Sequence, residues 1–138
     1  MIKNIEYFIV DEGIMWGKVL EILARKAKEG VDVRVMYDGT NEFTTLSRNY
    51  PKMLENLGIK CKVFAPLTPF LSTHYNYRDH RKIMVIDGNT AFTGGINFAD
   101  RYINRETVHG SRYTIYCLEY SRNALSIAAL PPAPKQAL

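Results

Sequence analysis

The chain is poor in cysteine, histidine and tryptophan and has no long apolar run, and each shortage narrows what it can be. Cys61 and Cys117 are its only cysteines. They form no CxxC or metal-ligand spacing, which argues against zinc and leaves a disulfide framework unsupported. No apolar stretch approaches the about 20 residues of a membrane span, and no charged-then-apolar leader opens the chain. As written, it is expected to be soluble or peripheral to a membrane. What is present is ordinary for a globular unit: 138 residues, 46% hydrophobic and 23% charged, enough for one domain with a core. The formal charge of +4 suits an anionic partner such as a phospholipid headgroup or nucleic acid.

The first forty residues read as strand, helix, strand. Ile5 to Val10 is a short, β-rich apolar run that predicts a buried strand. Asp11 is placed to cap the element that follows. Trp16, Val19, Leu20, Leu23, Ala24 and Ala27 fall on one stripe of a helix over Met15–Glu29, with Gly30 at its C-terminal stop. Val31, Val33, Val35 and Tyr37 alternate with Asp32, Arg34 and Met36 and predict a second strand, parallel to the first through a right-handed crossover. Trp16, the only tryptophan, reads as core packing. Thr40 to Asn49 is polar and reads as a loop. Pro51 suits the first turn of a short helix that Gly58 ends, and Ile59 to Phe64 alternates as a third strand in which Cys61 is a buried thiol. Ala65 to Asp79 carries two prolines and reads as a connection that forms one wall of a site, where Tyr75, Tyr77 and Arg78 are candidates for substrate contact. His74 has no partner at metal-ligand spacing and reads as a loop residue.

Residues His80 to Asn97, HRKIMVIDGNTAFTGGIN, carry the chemistry. Alternation from Arg81 to Asp87 predicts a strand, and side chains two apart on a strand share a face, so His80 and Lys82 project together. Asp87-Gly88 predicts a tight hairpin turn, because both residues tolerate positive φ. Thr90 to Thr93 returns antiparallel, and Gly94-Gly95 is expected to let the backbone crowd in before Asn97. An imidazole, an ammonium and a carboxamide at one strand end suit a phosphate ester: a nucleophile or general acid, a fixed cation and a neutral donor.

The spacing HxKx4Dx6GGxN, complete here, resembles the signature of the phospholipase D superfamily. NYRDHRKIMVIDG with GGIN, and the earlier EYFIVDEG and ARKAKEGVDVRVMYDG, resemble the first catalytic half of bacterial cardiolipin synthases over roughly residues 5 to 105. The resemblance implies an α/β fold in which a mixed β-sheet is flanked by helices. It implies that His80 and a counterpart in a second half divide the roles of nucleophile and general acid. Lys82 and Asn97, with Gly94 and Gly95, would hold the phosphoryl oxygens, and Asp87 would complete the catalytic signature mainly as an organiser of the hairpin. No metal or other cofactor is required in that scheme. The implied substrate is phosphatidylglycerol, two molecules giving cardiolipin and glycerol through a phosphohistidine at the cytoplasmic face of the cell membrane.

Three features depart from the family pattern. Membrane-spanning helices usually precede it, the signature usually occurs twice, and after Asn104-Arg105 the chain no longer follows it. Residues 1–105 therefore read as a catalytic half-domain and 106–138 as an unmatched tail, the mark of a truncated or frame-shifted product or of a genuine alternative C-terminus. Tyr116 to Leu130 is open to a helical reading, ended by Pro131, Pro132 and Pro134, and His109 receives no role. Two rivals stand beside the phosphatidyltransferase: a single-motif phosphodiesterase or nuclease completed as a homodimer, and an inactive fragment.

Overall fold

The computed structural model describes residues 1–66 and 78–103, together with the backbone of 116–121 and 124–129. The chain runs β1 (Ile2–Tyr7), α1 (Ile14–Lys28), β2 (Asp32–Asp38), α2 (Asn41–Thr44), α3 (Tyr50–Asn56), β3 (Lys60–Phe64), β4 (Lys82–Ile86) and β5 (Thr90–Gly94). A 3-10 turn follows at Asp100–Tyr102, then β6 (Tyr116–Ser121) and β7 (Ala124–Ala129). All seven strands form one sheet in the order β3-β2-β1-β4-β5-β6-β7. β1 and β3 both pair parallel with β2, and every other pairing is antiparallel. The expected mixed sheet with helices packed on it is the fold observed.

Amphipathic periodicity accounts for the first layer. Trp16 and Leu23 of α1 are buried, and Val19, Leu20, Ala24 and Ala27 pack against the same core. Ile5, Val33, Val35 and Tyr37 supply the sheet side, successive alternate residues of β2 sharing one face. Trp16 donates its indole N–H to the Tyr50 hydroxyl, so the one polar atom of each buried ring finds a partner. Cys61 packs at the margin of this core, and burial pushes its thiol up to about 12.

Four expectations need correction. The first strand is Ile2–Tyr7, three residues earlier than the apolar run: Phe8, Ile9 and Val10 leave the ladder, and Val10 keeps only a bridge to Phe98. Apolar content rewards burial, and Val10 is buried without strand pairing. Asp11 does not cap α1. The carboxylate of Asp100 does, accepting the N–H of Ile14 at 2.9 Å and of Met15 at 2.8 Å. A Cβ on Gly13 would lie 2.7 Å from that carboxyl group, so glycine is what lets the distant cap approach. Third, the segment Thr40 to Asn49 contains the short helix α2 rather than loop alone. Finally, the described residues of the segment read as open to a helix from Tyr116 to Leu130 form the strands β6 and β7 instead. The exposed ladder of β5 offers backbone partners that outweigh a modest helical propensity.

The core assignment has a direct test. Leu23→Ala is expected to lower unfolding free energy by about 2–5 kcal/mol, measured by chemical denaturation, because it empties a buried site. A loss within the range of a surface substitution would contradict the packing of α1.

Candidate active site

The antiparallel register of β1 with β4 sets Tyr7 opposite Lys82, so the start of β4 lies at the carboxyl ends of the parallel strands β1 and β2. Sheets of this kind place ligands at that edge. His80 precedes β4 and is exposed, whereas Lys82, its first residue, is buried. The two side chains meet as expected: Lys82 Nζ lies 2.8 Å from His80 Nδ1. An ammonium has only donors, so Nδ1 is the acceptor and a neutral imidazole then carries its proton on Nε2. Lys82 Nζ also donates to the His80 carbonyl oxygen and lies 5.3 Å from the centre of the Phe8 ring. Burial draws the Lys82 ammonium below its usual pKa, against the charge of Asp79, which raises it.

Asn97 is buried nearby, and its bonds run to a neighbour of Phe8 rather than to His80 or Lys82. Its Oδ1 accepts the Ile9 N–H at 3.0 Å, and its Nδ2 donates to the Tyr102 hydroxyl at 3.4 Å. Asp87 sits at the other end of β4, roughly 17 Å along the strand from Lys82 at the usual rise per residue. There it accepts the Ile2 N–H at 2.6 Å and returns its own N–H to the Ile2 carbonyl at 2.8 Å. Asp87 and Gly88 both have positive φ, 51° and 66°, and the Asn89 N–H closes the turn on Ile86. The crowding expected at Gly94-Gly95 is not seen at Gly95: among the described residues nothing stands within 4 Å of where its Cβ would be. That leaves room for a ligand against the backbone.

Apart from Arg78, named above as a candidate for substrate contact, the shell around this pair went unread in the sequence. Asn41, fully buried, accepts the Val10 N–H at 3.0 Å and donates to the carbonyls of Phe8 and Asp38, both at 2.7 Å. It thus ties together the ends of β1 and β2. Asp38 is buried and pairs with Arg78 at 3.3 Å, while the same guanidinium reaches the Ala65 carbonyl at 3.2 Å. Arg78 therefore joins both ends of the connection that leads to His80. Gly39 lets that connection pass, since a Cβ there would meet the Ala65 oxygen at 2.6 Å. Asp38 and Phe8 both lie inside stretches that carried the family resemblance, which was the available signal. His74, Tyr75, Tyr77 and His109 lie outside the described residues. Among the described residues no group of His, Cys, Asp or Glu could hold a metal ion.

A second charged cluster involves the alternate residues flanking His80. Arg81 Nη2 lies 2.6 Å from Asp79 and 2.9 Å from Glu6. The guanidinium holds the Asp79 carboxyl well below the usual range. Burial, and then the hydrogen bond and charge of Asp79, push Glu6 up to about 7.

A family model described as the cardiolipin synthase, PLD-like domain matches residues 5–109. The chain belongs to this family. Among its relatives, an uncharacterized protein of Streptococcus mutans is 65% identical over 101 residues, 73% of this chain and 22% of that protein. A cardiolipin synthase of Halalkalibacterium halodurans is 42% identical over 108 residues, covering 78% and 21%. The chain thus spans about a fifth of the length of the relatives it matches. Among solved structures, the phospholipase D family member Nuc of Salmonella typhimurium superposes with a TM-score of 0.53 at 20% identity, over 72% of this chain and 57% of that one. NucT from Helicobacter pylori gives 0.52 at 16% identity, over 72% and 60%. At such identities the likeness speaks for the fold alone, and it agrees with the phospholipase D-like sheet described above. No helix among the described residues is long and apolar enough to cross a membrane.

The pH dependence of stability tests the charged cluster. Glu6 shifts from 4.5 to about 7 on folding, so between these values the folded chain holds more protons than the unfolded one. Stability should therefore fall as pH rises through that window. Denaturation midpoints measured from pH 4.5 to about 7 should decline, and Glu6→Gln should flatten that limb. An unchanged slope in the variant would refute the assignment.

Proposed function

We propose that this chain supplies one half of the active site of a phospholipase D-type phosphatidyltransferase of the cardiolipin synthase kind. The observation that carries the reading is the His80–Lys82 contact at the carboxyl edge of the parallel strands, within a complete HxKx4Dx6GGxN signature. In the proposed reaction, Nε2 of His80 attacks the phosphorus of phosphatidylglycerol. The bond to the departing glycerol breaks as a phosphohistidine forms, and a second histidine protonates the leaving oxygen. A hydroxyl of another phosphatidylglycerol then attacks the phosphohistidine, gives its proton to that second histidine and releases His80, yielding cardiolipin. Dividing one displacement into two is the gain from covalent catalysis. With water as acceptor, the same steps amount to phosphodiester hydrolysis.

Lys82 has two positions in this scheme. In the free site its ammonium rests on Nδ1 of His80. A bound phosphodiester offers a full negative charge, which a partly desolvated ammonium prefers to a neutral ring nitrogen. The move to the phosphoryl oxygens frees Nδ1, so that the exposed ring can take a proton from water there and give its Nε2 proton up to water, leaving the Nε2 lone pair for phosphorus. Asn97, Gly94 and Gly95 are assigned to the same oxygens, and Asp87 to holding the hairpin in register. The positive charge of the chain favours an anionic bilayer surface, here taken to be the cytoplasmic leaflet. The second histidine comes from another half-domain of a longer protein or from a second copy of this one.

Isolated chain at low concentration should therefore turn over little. Losing general-acid catalysis typically costs about 10²–10⁴ in rate. Release of glycerol from phosphatidylglycerol vesicles should stay near background for dilute monomer, and release of the coloured alcohol from a chromogenic phosphodiester, which departs without an acid, should stop near one equivalent. A homodimeric phosphodiesterase would instead show specific activity rising with protein concentration and abolished by His80→Ala. Sustained turnover by a verified monomer would overturn the need for a second histidine from outside.

A further inference from the structure

We propose that Phe8 is a positioning residue for His80, an aromatic wall that holds the imidazole in line with the phosphorus once Lys82 has left it. The proposal rests on the reading of His80 as the nucleophile. Phe8 is the first residue beyond β1, where the chain has left the sheet, yet its backbone is held on both sides. Its N–H donates to the Arg81 carbonyl at 3.1 Å, and its carbonyl accepts from Asn41 Nδ2 at 2.7 Å. Ile9 is held by Asn97 Oδ1 and the Phe98 N–H, and Val10 by Asn41 Oδ1 and the Thr45 hydroxyl. Every backbone donor and acceptor of these three residues is thus bonded, and Asn41 and Asn97 supply three of those bonds from buried side chains. Such a segment has one geometry, and the direction of the Phe8 side chain follows from it.

That direction sets one ring against both members of the reactive pair. The Phe8 ring centre lies 4.5 Å from that of the His80 imidazole, tilted by 44°, and 5.3 Å from Lys82 Nζ. His80 needs such a wall because it precedes β4 and is exposed, so no strand neighbours confine its ring. In the free site the Lys82 contact to Nδ1 restrains it. When substrate phosphate takes the ammonium, that restraint is lost at the moment alignment matters most. The Phe8 ring remains. It is held by backbone bonds that no ligand competes for, and its face also keeps the Lys82 cation within reach of the phosphoryl oxygens. Alignment of the nucleophile enters the rate of attack rather than the strength of binding, and a misplacement near 1 Å can cost about 10²-fold.

The test uses the full chain with Phe8→Leu and Phe8→Met, which keep apolar bulk without a ring, and Phe8→Tyr, which keeps the ring. Proton–carbon NMR spectra of the imidazoles, with His80 assigned through His80→Asn, report whether an aromatic ring lies over it. Stopped-flow release of one equivalent of aryl alcohol from a chromogenic phosphodiester reports attack by His80, since that leaving group departs without an acid. Titration with inorganic phosphate reports binding. The expected result is a ring-current displacement of the His80 signals in the unaltered chain and in Phe8→Tyr, lost in both ring-free variants. The burst should slow about 10²-fold in those two alone, with phosphate affinity retained. His80 signals indifferent to loss of the ring, or a burst of unchanged rate despite altered signals, would overturn the proposal. Equal slowing by Phe8→Tyr would also overturn it. If the unaltered chain gives no burst while the signals respond as expected, it is the nucleophile assignment that fails, and the holding of the ring stands.

Discussion

The site depends on a single strand pairing, that of β4 against β1. β1 is the only strand among those described that pairs parallel on one side and antiparallel on the other. The parallel side brings the carboxyl ends of β1 and β2 together, and the antiparallel side delivers the start of β4 to that same edge. Because side chains alternate along a strand, a slip of one residue in this pairing would turn Lys82 away from the core side and bring Arg81 in. Register is therefore held at both ends of β4. Asp87 grips Ile2 through two hydrogen bonds at the turn, and the Arg81 carbonyl accepts the Phe8 N–H at the opposite end. Asp87 thus stands at the far end of β4 from His80 and Lys82, bonded to Ile2.

What could be read from the sequence was whatever a short window contains. The stripe from Trp16 to Ala27, the alternation from Val31 to Tyr37, and the Asp87-Gly88 turn are local patterns, and each became the element it predicts. The family signature is local as well, six positions within eighteen residues, and it brought His80 and Lys82 into contact as expected. What could not be read is the set of contacts between residues far apart in the chain. Asp100 caps α1 across 86 positions, Asn41 bonds Val10 across 31 and Phe8 across 33, and Asn97 bonds Ile9 across 88. No periodicity marks such residues. Asp11, the nearer acid, was the reasonable choice for a cap on local grounds, and it lost because Gly13 leaves room for a better-placed carboxylate. The fate of Phe8 to Val10 shows the same limit. An apolar run announces burial, but whether that burial occurs within the ladder or beyond it is decided by partners elsewhere.

Charge is distributed around His80 in a way that separates structural from chemical roles. Asp79 and Arg81, its immediate neighbours, are committed to each other and to Glu6. Arg78 is committed to Asp38 and to the base of the preceding connection. Among the described residues no carboxylate forms an ion pair with Lys82. A buried lysine without a carboxylate partner is destabilising for the free protein, which is why burial lowers its proton affinity here. The same imbalance would favour a bound anion, since the desolvation has already been met in folding and a phosphate there would supply the missing charge.

In the proposed reaction this arrangement makes binding and activation one event. While the site is free, the acceptors of the ammonium among the described residues are both neutral, Nδ1 and the carbonyl oxygen of His80. The first of these leaves a neutral imidazole with its proton on Nε2, the nitrogen proposed to attack, so on that proposal the resting tautomer is the unreactive one. In the proposed reaction, a phosphodiester that draws Lys82 away neutralises the buried cation and frees Nδ1 to take a proton from water while Nε2 gives its own up, which uncovers the lone pair on Nε2. An anion too small or too distant to engage Lys82 would do none of these. On that proposal substrate recognition and generation of the nucleophile share one residue, and the proposed wall at Phe8 would let the ring stay in place while its partner moves.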